Sequence, residues 1–205
     1  ASLSMIVMAV GQGVFNKILV HISVETVAAY QVAGRLDMLV FLPIFSIAAS
    51  LTTLIGMFYG AKEYEALRFT IRYGIFSALI ITIFSSTTVY IFAGQLVRFF
   101  TEDESIVIIS VNFLQIFAFA YPFIAVGITT GRVLQGLGKG LPVLVITIVR
   151  VLGVSAPLSL FFIFVMDKSV EWVWYSMMLS TVVAFAIGLT WLVFTVKKLP
   201  VKNTV

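Results

Sequence analysis

RLDMLVFLPIFSIAASLTTLIGMFYGAK, residues 35–62, decides what kind of fold this chain can adopt. Between Asp37 and Lys62 there is no charge, so Met38 to Ala61 is an uninterrupted block of 24 residues. A hydrocarbon core of about 30 Å is crossed by about 20 residues of helix, and the block is long enough to do it. Arg35 and Asp37 mark one end. They stand two positions apart, and at about 100° per residue a helix turns them to nearly opposite sides. They are poor partners for each other, so each must find another partner or reach water and headgroups.

The rest of the chain has the same character. Of its 205 residues 61% are hydrophobic and only 11% charged, and the mean hydropathy is +1.13. Ordinary globular domains carry about 25% charge, so no soluble globule fits; a lipid bilayer is the expected partner. The net charge of +4 forms no dense basic run, which argues against nucleic acid. The absence of cysteine excludes disulfides and thiolate metal sites. The start, ASLSMIVMAVG, has neither an initiator Met nor a charged leading segment. It reads as the interior of a longer chain and not as a signal peptide.

Charges divide the chain into six apolar spans, expected at about 1–22, 25–61, 73–97, 105–131, 140–166 and 172–196. The blocks do not alternate apolar and polar residues, as barrel strands do. The expected fold is therefore an all-α integral membrane protein of six transmembrane helices in a single unit. Lys and Arg favour cytoplasmic loops. One side would hold Lys62, Arg68, Arg72, Arg132, Lys139, Lys197, Lys198 and Lys202 against Glu63 and Glu65. The other would hold Lys17, Arg35, Arg98 and Lys168 against seven acids. Both chain ends are expected on the cytoplasmic side of the plasma membrane.

Short polar stretches connect the spans. YGAKEYEALRF (59–69) puts Gly60 where a helix can end, followed by an amphipathic turn of acids and bases. FTEDESI (100–106) places Thr101 as a helix N-cap, with acids at the positive end of the next helix. LQGLGKGLPV (134–143) combines three glycines with Pro142 in a tight break.

In order and spacing, AAYQVAGRLDMLVFLPIF (28–45), GAK (60–62), FFTED (99–103), YPF (121–123) and LQGLGKGLP (134–142) resemble one six-helix lobe of a multidrug and toxic compound extrusion (MATE) transporter. The likeness is greater to the C-terminal lobe and covers nearly the whole chain. It implies a twelve-helix transporter in which this chain pairs with a second six-helix lobe, the cavity lying between them. In NorM-type members, cation coupling uses an acid in the first helix of this lobe and another in its fourth. Here the first helix offers Gln12, Asn16 and Lys17, and 105–131 contains no carboxylate. In that respect the chain is more similar to DinF-type members, whose coupling carboxylates lie in the other lobe. The resemblance then puts the H⁺ or Na⁺ site outside this chain.

Nothing in the sequence points to an enzyme or a cofactor. GLGKGLP lacks the Walker A pattern, HExxH and GxSxG are absent, and the lone His21 falls near an interface. The informative residues are the polar ones at membrane depth, where a charge costs about 2.5–3.5 kcal/mol and normally faces a cavity or a partner. Gln12, Asn16, Lys17, Arg35, Asp37 and Arg150 are the candidate cavity-lining residues. Each has an ordinary alternative: Arg35 and Asp37 as an interfacial pair, Arg150 as a structural partner of an acid or carbonyl, Gln12 and Asn16 as interhelical bonds. Lys17 and Arg150 are the expected partners of Asp37. The expected function is half of a secondary-active multidrug exporter that moves small organic, often cationic, compounds in exchange for H⁺ or Na⁺. A lipid-linked saccharide flippase lobe and a membrane protein without transport are the alternatives. Pro43, Pro122, Pro142 and Pro157 permit bends.

Overall fold

The computed structural model describes residues 2–200, apart from the side chain of Ser2. Ala1 and Lys202, both used in the sequence reading, lie outside the described residues. Six helices follow one another: α1 Ser2–Ile22, α2 Val24–Gly60, α3 Tyr64–Arg98, α4 Glu104–Gly136, α5 Leu141–Val165 and α6 Glu171–Lys197. All six are long and apolar enough to cross a membrane, and the protein is an all-α membrane protein. Its outer surface explains the composition. Phe69, Phe84 and Phe99 are among many large apolar side chains that face outward. Such a surface is stable in lipid and not in water.

The ends of the helices differ in detail from the sequence reading. α3 begins at Tyr64, so most of the stretch expected to form the 62–72 loop is its first two turns, and α4 runs on to Gly136. Helical hydrogen bonding continues past the hydrocarbon boundary, which hydropathy alone does not mark. At both of these connections the helix closes with a left-handed residue. Gly138 has φ 75°, and Lys139 N–H donates to the Leu134 carbonyl at 2.8 Å while Gly138 N–H reaches Gln135 at 2.9 Å. This is the Schellman arrangement that glycine suits. After α2 the left-handed position falls on Lys62, φ 59°, and not on Gly60, which stays helical. The N-cap of α4 is Asp103, not Thr101: its Oδ1 accepts from Ser105 N–H at 2.9 Å, and Thr101 Oγ1 accepts from Asp103 N–H at 3.2 Å. A carboxylate adds charge to the capping bond, so it outcompetes the hydroxyl.

α4 is the spine of the lobe, packed against α2, α3 and α6. Around it lie two apolar clusters. One centres on Phe113, Leu114, Tyr121 and Trp174. The other, towards the opposite end, centres on Leu51, Ile55, Leu67 and Leu134. Small residues set the helix spacing. A Cβ on Gly136 would stand 2.7 Å from the Thr52 carbonyl oxygen, and one on Gly74 would press into Leu51. Several serines and threonines inside the spans satisfy their hydroxyls on their own helices, as Thr82 does on Ala78 at 2.6 Å, while Ser110 donates across to the Ala29 carbonyl of α2 at 3.2 Å.

α5 is the irregular element. It is α-helical over Leu141–Ile148, π-helical over Val149–Ser155, α-helical over Ala156–Leu160 and π-helical again over Phe161–Val165. Pro157 has no N–H for the Gly153 carbonyl, and its ring would crowd that carbonyl in a tight turn. A widened turn immediately before it relieves both problems. Arg150 sits at the start of this widened segment.

Candidate functional site

A cleft of about 470 Å³ opens where α1, α2, α4, α5 and α6 converge. Its walls include aromatic and sulfur-bearing side chains, with Phe113 and Phe117 on α4, Met5 and Met8 on α1, and Met177 on α6. Polar groups enter it from four helices: Gln12, Asp37 with Tyr30, Arg150 with Ser155, and Ser180 with Thr181. An apolar cavity with a few converging polar groups is the usual form of a small-molecule site.

Each polar group is there for a local reason. Tyr30 and Asp37 are seven residues apart, two helical turns, and so share one face of α2. Ala33 and Leu36 on the same side are buried, which holds that face inward. Arg35 is rotated about 200° from Ala33 and from Asp37, as the two-residue spacing requires, and it is exposed. The charges that mark the edge of the 35–62 stretch therefore separate: one enters the lobe and the other leaves it. The π-helical turn presents Arg150, and the buried Ser155 with it, to the same cleft.

Asp37 finds a partner that charge counting does not reveal. The Tyr121 hydroxyl donates a short hydrogen bond to Asp37 Oδ1, joining α2 to α4 beside the cleft. Neither Lys17 nor Arg150 pairs with Asp37. Among the described residues the one ion pair within 4.0 Å is Arg98–Glu104. Lys17 is exposed on α1 and lies outside the cleft lining, as do Asn16 and Arg35. Of the six candidates, the fold brings Gln12, Asp37 and Arg150 together. It separates Asn16, Lys17 and Arg35 from them.

The aromatic set was hidden in the apolar background. Tyr30 stacks on Trp174 with ring centres 5.9 Å apart and meets Phe113 edge-on at 5.7 Å. Phe113 lies 4.2 Å from Phe117, and Phe41 meets Tyr121 edge-on at 5.3 Å. Tyr30 could have been found from its seven-residue spacing to Asp37. Tyr121 carries a weaker signal, since it lies 84 positions from Asp37. His21 is exposed and rests against Phe164, ring centres 4.7 Å apart. Among the described residues no group of three or more His, Cys, Asp or Glu is placed to hold a metal.

Comparison with known proteins agrees with this architecture. Residues 1–161 match the protein-family model described as MatE. The chain is 29% identical over 162 residues to a probable multidrug resistance protein NorM of Thermotoga maritima, covering 79% of this chain and 34% of that protein. It is 24% identical over 159 residues to the probable multidrug resistance protein YoeA of Bacillus subtilis, again covering 34% of the relative. The fold superposes with a TM-score of 0.89 on a MOP superfamily transporter from Pyrococcus furiosus whose binding pocket is described as reversed in polarity. That match has 26% identity and covers 97% of this chain and 45% of the other. With an outward-facing multidrug resistance MATE family transporter the TM-score is 0.88 at 26% identity, covering all of this chain and 45% of that one. The chain thus spans about a third of the length of these curated relatives and under half of the solved transporters.

Proposed function

This chain belongs to the MatE family, and from that premise we propose that it acts as one lobe of a secondary-active exporter of organic compounds. The cleft supports this reading most directly. It combines one carboxylate, Asp37, and Arg150 with the aromatic rings of Tyr30, Phe113 and Phe117 and with methionines that adapt to varied shapes. This is the chemistry that holds amphipathic organic compounds of differing outline, with Asp37 as the group that meets a cationic one. A second six-helix lobe supplies the opposite wall, and the two rock against each other around the cargo.

The coupling ion, H⁺ or Na⁺, is carried by the second lobe in this reading, because α1 has no acid and α4 has none beyond its first turn. The chain ends face the cytoplasm, in keeping with the basic residues on that side. The flippase alternative needs a strongly cationic lumen for a phosphate-bearing cargo. Here Arg150 shares the cleft with Asp37, so the cleft is not strongly cationic.

The test is efflux of a fluorescent organic cation from proteoliposomes holding a two-lobe protein with this sequence as one lobe. Asp37→Asn, with folded yield preserved, should slow efflux about thirtyfold, the lower end of what loss of a desolvated charge contact costs. Efflux equal to the unmodified protein would remove Asp37 from the cargo site. Transport of a polyprenyl phosphate in place of the cation would favour the flippase.

A further inference from the structure

A second concavity of about 710 Å³ lies on the other side of α4, between α3 and α6. α3 and α6 both pack on α4. At one end they are tied together, where Arg68 Nη2 donates to the Leu199 carbonyl at 2.9 Å. Towards the 99–103 turn they diverge, and α4 is left as the floor of a groove. The floor residues Glu104, Ile108, Val111, Gln115 and Phe119 form one stripe at helical spacing. Phe113, Phe117 and Ile124 of the five-helix cleft lie about 180° around the same helix. The groove therefore looks away from the cleft and towards the surrounding membrane.

Its length and polarity follow the profile of one leaflet. From Glu104 to Phe119 is about 22 Å of helix axis, and half of a bilayer with its headgroups is about 20–22 Å. The polar end is at the turn. Arg98 Nη2 donates to both oxygens of Glu104, at 2.7 and 3.1 Å, so the rest of the guanidinium fork is available to an anion. Asn112 Nδ2 donates to Glu171 Oε1 at 2.8 Å, which fixes a second carboxylate beside the groove. Beyond Asn112 and Gln115 the floor is apolar, with Ile116 and Phe119, and Tyr90 meets Phe119 edge-on with ring centres 5.7 Å apart. Tyr175 and Trp172 stand near the polar end, 6.1 Å apart, where aromatic residues favour the headgroup region.

We propose that this groove is a binding site for a phosphatidylethanolamine of the bilayer, with one acyl chain along α4 and the headgroup at the Arg98–Glu104 pair. The headgroup carries both charges the site can match. Its phosphate meets Arg98, and its ammonium, with three N–H donors, meets Glu104. Phosphatidylcholine has no N–H to donate. Phosphatidylglycerol offers no cation to Glu104, the carboxylate that lines the groove.

Native mass spectrometry of the purified protein tests this, using an equimolar mixture of phosphatidylethanolamine, phosphatidylglycerol and phosphatidylcholine of distinct masses. One retained lipid is expected, with phosphatidylethanolamine favoured about fivefold, the scale of partly exposed charge contacts. Ile108→Trp fills the exposed floor of the groove and should abolish the adduct. The paired exchange Arg98→Glu with Glu104→Arg keeps an ion pair but reverses its direction, and should erase the preference. Equal retention of the three lipids, preference for phosphatidylglycerol, or adducts unchanged by both variants would overturn the proposal. If a variant fails to fold, the headgroup competition on the unmodified protein decides alone.

Discussion

The two concavities on opposite faces of α4 hold their charges differently. In the five-helix cleft Asp37 is drawn inward and satisfied by a neutral donor, the Tyr121 hydroxyl. In the peripheral groove Arg98 and Glu104 satisfy each other while more than half exposed, 54% and 63%. A charge withdrawn from water needs a bond of good geometry, and removing that bond is costly. A charge at the interface has water and headgroups as alternatives, so its pair contributes little. The same helix thus carries one site whose polar contacts hold the lobe together and one whose contacts are free to be exchanged for a ligand.

The strongest way to break the comparison is to unseat α4, which both sites share. Gly136→Leu would place a Cβ against the Thr52 carbonyl oxygen, 2.7 Å from where it must stand. Backbone cannot move aside as a flexible side chain can. A loss of about 3 kcal/mol in stability is expected, at the upper end of overpacking effects, with folded yield falling in detergent. Unfolding by denaturing detergent checks it, and both concavities should be lost together.

Tyr121→Phe separates the two sites. It keeps the ring that packs edge-on against Phe41 and removes only the donor to Asp37. A partly buried carboxylate left without its bond costs about 1–3 kcal/mol. The same unfolding assay should show that loss, while lipid retention in the groove stays at the unmodified level. A lipid change equal to the stability change would mean that the two faces of α4 are not independent.

Much of this could be read before the structure, for physical reasons that differ by region. The six spans were legible because hydrocarbon demands long apolar runs, and few other environments permit them. The divergence of Arg35 and Asp37 followed from two residues at about 100° each. The partner of Asp37 was not legible. A search by charge points to Lys17 and Arg150, whereas tyrosine is an uncharged member of an apolar run. The irregular turns of α5 left no mark on hydropathy, since a π-turn and an α-turn of the same residues are equally apolar; Pro157 was the available signal. The groove was partly visible. Asn112 and Gln115, three apart inside a span, mark a polar stripe on α4 that the reading of charged residues alone passes over.

A smaller effect is expected at the turn beside the groove. Asp103→Ala removes the side chain that caps α4, whose Oδ1 accepts from Ser105 and Ile106. Such caps contribute about 1 kcal/mol. Hydrogen exchange should rise in the first turn of α4 and remain unchanged around Tyr121. Protection lost along the whole helix would show that α4 depends on its cap more than on its packing.

Arg98→Ala should have the smallest effect on stability. The pair it breaks is exposed on both sides and local, six residues apart in sequence. Exposed pairs of this kind contribute about 0–1 kcal/mol, and Glu104, once unpaired, keeps water and the positive end of α4 as neighbours. Unfolding should therefore shift by less than for Tyr121→Phe or Asp103→Ala. The contrast is sharpest in the paired measurement, because Arg98→Ala should weaken retention of phosphatidylethanolamine and leave efflux of an organic cation unchanged. Tyr121→Phe should do the reverse. If instead Arg98→Ala destabilises the protein as much as Tyr121→Phe, the Arg98–Glu104 pair is a structural clasp between α3 and α4, and the distinction between a held charge and an exchangeable one fails.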